Sequence, residues 1–314
     1  MKERTTGIKW THHTFNPWWG CEKISPGCAQ CYAETFSFRT GHANLWGGPK
    51  SERRFFGYKH WQEPIEWNRA AQNTRLLDGK KVIHWRANRG VYMAETPIQS
   101  MRKEEGILTR MDADSFLALP RPRTFVFSAS MADILEDRDD TIPAFIQLME
   151  TIHATQELTW QLLTKRPDMF PVRLEKAYRH ANKIGMMIAG YILSLWSNGE
   201  IPENVWFGTT AENQEELDRR LPHLGRIPAA KRFLSVEPML GPVVLPDSAP
   251  VDWVICGGES GKNCRHIPID LGLKLAAQCE SLQIPFFWKQ DSGPLPGQQG
   301  RIPSEYWENQ QFPA

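Results

Sequence analysis

From residue 120 onward, short apolar runs rich in β-branched and aromatic residues alternate with longer stretches of helical periodicity. The runs cover 124–127, 159–163, 204–207, 232–235, 252–255 and 285–288, and helical patterns fall over 142–155, 213–221 and 271–282. A further apolar stretch at 7–10 precedes a helical pattern over about 33–39, which brings the total to about seven strands. The runs are continuously apolar rather than alternating, as strands of a parallel sheet covered on both faces are. The pattern predicts an α/β fold: a full or partial (β/α) barrel of TIM type, with a doubly wound sheet as the alternative. The apolar stretch 184–196 is too short to span a membrane and reads as a buried helix.

Residues 41–120 break this rhythm. They carry Gly47-Gly-Pro49, arginines at 53 and 54 and a strand-like run at 81–85, and they read as a cap inserted after the first βα unit. The expected organisation is a first βα unit over 1–40, the cap over 41–120, the rest of the barrel over 121–290, and a loosely packed Gly/Pro/Gln-rich tail over 291–314.

Composition narrows the class. A chain of 314 residues with 41% hydrophobic and 23% charged residues is ordinary for a globular protein, and a net charge of +1 gives no global sign of a nucleic-acid partner. There is neither a signal-like start nor a run of membrane-spanning length, so a cytoplasmic protein with reduced thiols is expected, with no membrane partner. Seven of the thirteen tryptophans crowd the first 100 residues, where they serve as packing groups or as surfaces for stacking bases or a cofactor ring.

Ligands of parallel α/β folds bind at the carboxyl ends of the strands. Here each run ends in polar residues: Ser128-Ala-Ser130 and Asp133; Thr164-Lys165-Arg166; Thr209-Thr210 and Glu212-Asn213; Ser235 and Glu237; Gly257-Gly258-Glu259-Ser260-Gly261; and Lys289-Gln-Asp291. One such group is a helix cap. Six in succession, with carboxylates and lysines that caps do not need, predict one shared pocket. Lys165, Glu237 and Asp133 are the candidate catalytic groups, as acid/base residues or as partners of a ribose or phosphate. The paired glycines Gly257 and Gly258 allow close backbone approach to a ligand, and Glu259 can accept from an ammonium group.

The sharpest chemical feature is the loop with Cys21, Cys28 and Cys31 between the first strand and helix. Three thiolates can hold a metal centre with one coordination position open. A zinc knuckle is the alternative, although such sites come with a second Cys-x-x-Cys pair or a suitably spaced histidine, and neither follows Cys31. His12 and His13 flank the first strand end and could add a fourth ligand. Cys256 and Cys264 are scattered, with Cys264 close to His266, and Cys279 sits in a helical pattern as a small buried residue.

The cysteine loop at the end of a first barrel strand resembles the radical S-adenosylmethionine enzymes. The gap between Cys21 and Cys28 holds six residues where that superfamily usually has three, and the Gly-Gly-Glu turn follows the sixth strand rather than the second. A closer likeness lies in Asn16-Pro-Trp-Trp-Gly-Cys21, Ser25-Pro-Gly-Cys28, Cys31-Tyr-Ala-Glu34, Leu163-Thr-Lys-Arg-Pro167, Ser235-Val-Glu-Pro238, Gly257-Gly-Glu-Ser-Gly261 and Phe286-Phe-Trp-Lys-Gln290. Together these resemble the phage-derived three-cysteine-motif family, a radical-S-adenosylmethionine-like group without an assigned activity.

The resemblance implies a 4Fe-4S cluster on Cys21, Cys28 and Cys31 and S-adenosylmethionine held at Ser128, Ser130, Gly257, Gly258, Glu259 and Ser260. It further implies cleavage of that cofactor to a 5′-deoxyadenosyl radical with an electron from an external donor. A nucleic acid or nucleotide substrate, modified or repaired, and a three-Cys-motif partner protein complete the expectation. The contrasting one is a metal-stabilised module that binds nucleic acid or a partner without catalysis.

Overall fold

A computed structural model of the chain describes residues 6–48, 50–77, 81–88, 91–95, 109–111 and 117–314. Its strands are β1 (His13–Thr14), β2 (Trp18–Trp19), β3 (Arg54–Phe55), β4 (Thr74–Leu77), β5 (Lys81–Asn88), β6 (Val91–Glu95), β7 (Thr109–Met111), β8 (Thr124–Ser128), β9 (Leu158–Thr164), β10 (Val205–Thr210), β11 (Lys231–Val236), β12 (Trp253–Gly257) and β13 (Phe286–Gln290). The helices are α1 (Tyr32–Arg39), α2 (Tyr58–Trp61), α3 (Glu63–Gln72), α4 (Ile142–Ala154), α5 (Phe170–Lys183), α6 (Met187–Ser197), α7 (Gln214–Leu224), α8 (Ile269–Ser281) and α9 (Ser304–Glu308).

Seven strands form one parallel sheet in the order β1-β8-β9-β10-β11-β12-β13. The order never reverses, so the switch point of a doubly wound sheet is missing and that alternative falls. The sheet is strongly curled. Trp10, just before β1, meets Trp253 of β12 with ring centroids 6.2 Å apart. In a flat sheet strands that far apart in the order would be separated by about 24 Å. Among the described residues β1 and β13 do not pair, which leaves a partial barrel.

Alternation along each strand divides the apolar residues between two cores. Val126, Val205, Phe207, Leu234, Val254 and Trp288 face outward and pack under the helices, together with Phe145, Leu174, Leu193, Leu217 and Leu275. Phe125, Phe127, Trp206, Phe233, Trp253, Ile255 and Phe287 face inward and form a second, mostly aromatic cluster with Trp10. Both faces of most strands from β8 to β13 are therefore apolar, the physical origin of the unbroken runs in the sequence, while β9 turns Thr159 and Gln161 inward.

Three expectations need correction. The first strand is His13–Thr14 rather than 7–10, because Trp10 is drawn into the inner cluster before the chain joins β8. The helix α6 is not buried all round: Met187, Ile188 and Tyr191 lie on an exposed face. The tail is firmly packed. Gln311 accepts from the Trp253 indole at 2.9 Å, Gln310 donates to Trp288 O at 2.8 Å, and the Phe312 ring lies 5.2 Å from Trp253 and 5.4 Å from Phe287. The last residues thus close the lower end of the inner cluster.

Among the described residues, 41–120 give no strand to the parallel sheet. They supply the β2–β3 ribbon's second strand, α2, α3 and an antiparallel sheet in the order β4-β5-β6-β7. The expected strand at 81–85 lies within β5. Residues 1–5, 96–108 and 112–116, and with them part of the expected cap, are outside the described residues.

Candidate functional site

At the carboxyl end of the sheet lies a cavity of ≈ 370 Å³. All three loop cysteines line it. So do residues from the ends of β8 through β13: Ser130 and Asp133, Thr164 and Lys165, Thr210, Ser235 and Glu237, Gly258 to Ser260, and Lys289. Its apolar side is shared with the inner cluster through Trp10, Phe127 and Leu163. The pocket expected from the polar strand ends therefore exists, within the usual size range of small-ligand sites.

The cysteine loop is drawn over this cavity by local structure. Trp18–Trp19 pairs antiparallel with Arg54–Phe55, and Cys21 then bridges to Trp46. A 3-10 turn over Pro26–Cys28 leads to Cys31, which is the N-cap of α1. Burial pushes the Cys31 thiol up, with the Glu34 and Ala33 amides pulling the other way. Burial and the Asp133 charge raise Cys21 as well, against the nearby Arg166 guanidinium, whose Nη1 lies 3.9 Å from the sulfur. A metal bound to these sulfurs must displace their protons. Tyr32, next to Cys31, donates from its hydroxyl to Ser130 O at 2.8 Å.

The charged residues around the cavity are tied to one another. Asp133 accepts from Thr164 Oγ1 at 2.6 Å, from the Lys165 amide at 2.9 Å and from Arg166 Nη1 at 2.9 Å. Lys165 donates to Thr210 at 2.7 Å and to Glu212 at 2.6 Å, and Arg220 binds the other Glu212 oxygen at 2.9 Å. Burial would push the fully enclosed Glu212 carboxyl up, but Lys165 and Arg220 outweigh it and hold the group down at about 2. Glu237 pairs with Lys289 at 3.1 Å and accepts from Ser235 at 3.2 Å. Glu259 is gripped by Arg265, whose backbone amide and guanidinium both donate to it.

Cys21, Cys28, Cys31, Ser130, Asp133, Lys165, Glu237, Gly258, Glu259 and Ser260 thus share one cavity wall. Ser128 and Gly257 do not line it. Ser128 is fully buried, and its hydroxyl has no hydrogen-bond partner among the described residues. The paired glycines serve close packing: a Cβ on Gly257 would come 2.7 Å from Glu237 Oε1, and one on Gly258 2.3 Å from the Ser292 amide. His12 and His13 do not line the cavity with the cysteines: His12 accepts from the Phe125 amide and His13 stacks on Trp67 at 4.3 Å. Asn213 caps α7 by accepting from the Glu216 amide at 3.0 Å. Cys264 does not line the cavity, while Cys256 and Cys279 are buried in the outer core.

Several residues that hold the site carry no motif. Glu136 binds the Glu22 amide at 2.9 Å and forms a buried pair with Arg53. Arg265 donates to Pro26 O at 3.1 Å, and Ser25 donates to Glu212 at 2.5 Å. Glu136 opens the charged run 136–140 and Arg53 stands between Glu52 and Arg54, so neither stands out in the sequence, and no sequence feature pairs Ser25 with Glu212.

The three cysteines are free thiols, and among the described residues no three His, Cys, Asp or Glu side chains converge on a single ion. A tetrahedral zinc with Zn–S bonds of about 2.3 Å needs its sulfurs about 3.8 Å apart. An iron–sulfur cluster takes each cysteine on a different iron and so accepts a wider triangle of the same soft donors. Three thiols are the soft donor type that both zinc and an iron–sulfur cluster take.

A family model described as a protein of unknown function (DUF5131) matches residues 5–301. The chain belongs to this family. The match runs from the start of the described chain to Arg301, whose guanidinium clamps Asp291 at the end of β13, so all seven strands and the whole cysteine loop fall within it. No curated protein and no solved structure matches the chain.

Proposed function

We propose that this chain is an iron–sulfur enzyme of the radical S-adenosylmethionine type that acts on a nucleic acid or nucleotide. One observation carries the reading: the three cysteines and the ends of six parallel strands line a single cavity. The likeness of the cysteine loop and strand-end motifs to the phage-derived three-cysteine-motif family supports it, and with it a three-Cys-motif protein as partner. Cys21, Cys28 and Cys31 would hold a 4Fe-4S cluster. When bound, that cluster supplies one-electron reduction of S-adenosylmethionine at an open iron, with the electron coming from an external donor.

The residues of this chain would do the rest. Trp10, Phe127 and Leu163 would give the reactive centre an apolar wall that disfavours water. Ser130 and Ser260 would offer hydroxyls for the cofactor's polar groups. Glu259 presents a carboxylate already oriented by Arg265. Lys165 and Lys289 place two ammonium groups on the cavity wall, each neutralised by a carboxylate, Glu212 and Glu237. An anionic substrate group could replace one of those carboxylates as the lysine's partner. Asp133 orients Arg166 and the Lys165 backbone.

The test is anaerobic reconstitution with iron and sulfide, reduction, and assay for 5′-deoxyadenosine from S-adenosylmethionine. Turnover is expected, and lost in Cys28→Ala. A fully loaded cluster that never cleaves the cofactor overturns the enzymatic reading in favour of a non-catalytic binding module.

A further inference from the structure

The stretch between Cys21 and Cys28 has no regular structure before the turn at Pro26–Cys28, yet it is tied to the sheet throughout. Glu136 and Arg166 hold Glu22 by its amide and its carbonyl, at 2.9 and 3.0 Å. Arg265 holds Pro26 O. Two links in this stretch join a buried carboxylate to a cysteine sulfur: Arg166 runs from Asp133 to Cys21, at 3.9 Å from the sulfur, and Ser25 runs from Glu212 to Cys28. The Ser25 hydroxyl lies 2.5 Å from Glu212 Oε1 and 3.5 Å from Cys28 Sγ. The Glu212 carboxylate also sits directly under the loop backbone, since a Cβ on Gly27 would come within 2.3 Å of it.

We infer that Glu212 is a positioning residue for the cysteine loop, fixing the Cys28 segment to the sheet through Ser25 and drawing the Ser25 proton away from the Cys28 sulfur. A hydroxyl carries a single proton and cannot serve two acceptors at once. Glu212 lies between Lys165 at 2.6 Å and Arg220 at 2.9 Å, which keep it anionic, and a bond of 2.5 Å to a carboxylate is the stronger of the two on offer. Ser25 therefore presents only lone pairs to Cys28. The wide gap between the first two cysteines gains a purpose: its extra residues reach the latch.

The latch stands on this geometry alone, whereas its effect on the sulfur rests on the cluster reading above. Hydrogen bonds donated to cluster sulfurs stabilise the reduced, more negative state and raise the reduction potential. Glu212→Gln weakens the acceptor and frees the Ser25 proton for Cys28, so the potential of the loaded protein should move in the positive direction. Ser25→Ala has no proton to release, so its potential should stay at the wild-type value, and the double variant should shift less than Glu212→Gln, keeping only the part that comes from the lost carboxylate charge.

Two measurements decide. In metal-free protein, hydrogen–deuterium exchange over residues 22–31 should rise about two- to tenfold in Ser25→Ala, the loss of one such bond, with β10 and β11 unchanged. An unchanged loop overturns the latch. In cluster-loaded protein, a redox titration followed by electron paramagnetic resonance should show the positive shift in Glu212→Gln and none in Ser25→Ala. A fall in the potential of Ser25→Ala means that the serine donates to the sulfur and overturns the proton assignment. Should Glu212→Gln fail to fold, Ser25→Ala still decides both points. Should the protein take up no iron, the proposed function fails while the exchange experiment still decides the latch.

Discussion

The two ends of the curled sheet are built from the same strands by opposite rules. At the lower end Trp10, Phe125, Trp206, Phe233, Trp253 and Phe287 fill the interior with rings, and Phe312 from the tail closes it. At the upper end, a few residues further along each strand, serines, threonines, lysines and carboxylates surround a cavity under a loop with three thiols. Apolar burial stabilises without direction, so the lower end needs only volume and shape. Buried charge is costly unless paired, so the upper end spends its residues on Lys165–Glu212–Arg220, Glu237–Lys289 and Asp133–Arg166 to keep a polar cavity inside a folded protein. Stability is concentrated below and chemistry above.

If that division is right, substitutions at the two ends should separate fold from metal binding. Trp253→Ala, at a fully buried ring meeting Trp10, Trp206, Phe233 and Phe287, should cost about 3–5 kcal/mol in denaturant unfolding. Acid should come next. The folded state holds the Glu212 carboxyl at about 2, against an ordinary glutamate value of 4.5. Its stabilisation is therefore fully present above 4.5 and is lost as pH falls through that window, an effect of about 3 kcal/mol. Unfolding followed from pH 5 to 2 in wild type and Glu212→Gln should show the variant lacking that part of the acid dependence. Phe312→Ala removes a ring that is 41% exposed and should cost about 1 kcal/mol in the same unfolding assay. The smallest change in stability, within about 0.5 kcal/mol, is expected for Cys21→Ala, Cys28→Ala and Cys31→Ala combined, although that variant should retain no iron. A large loss of stability there would place the cysteines in the fold's support.

The strands were legible because both faces of most are apolar: six runs fall on β8 to β13, with their ends shifted by at most three residues. The shared pocket was legible from the polar residue types that end those runs. What was hidden depends on partners far apart in the chain. Ser25 and Glu212 are 187 residues apart, and Glu136 meets Glu22 across 114. No local pattern reveals either pair. The tail read as loose because its Gly, Pro and Gln content carries no period, yet its backbone and Phe312 dock onto rings already in place. The glycine pair at 257 and 258 looked like ligand approach, but Glu237 and Ser292 occupy that space. Helix α6 read as buried from composition, while its geometry turns Met187, Ile188 and Tyr191 outward.

The proposal that the upper end is a cluster site with an open iron is tested most directly by electron paramagnetic resonance of the reduced, anaerobically reconstituted protein with and without S-adenosylmethionine. The expected result is the signal of a reduced cluster of about four irons per chain, altered when the cofactor is added and absent when the three cysteines are replaced. A protein that holds one zinc and no iron, or a cluster whose signal is indifferent to S-adenosylmethionine, would contradict it.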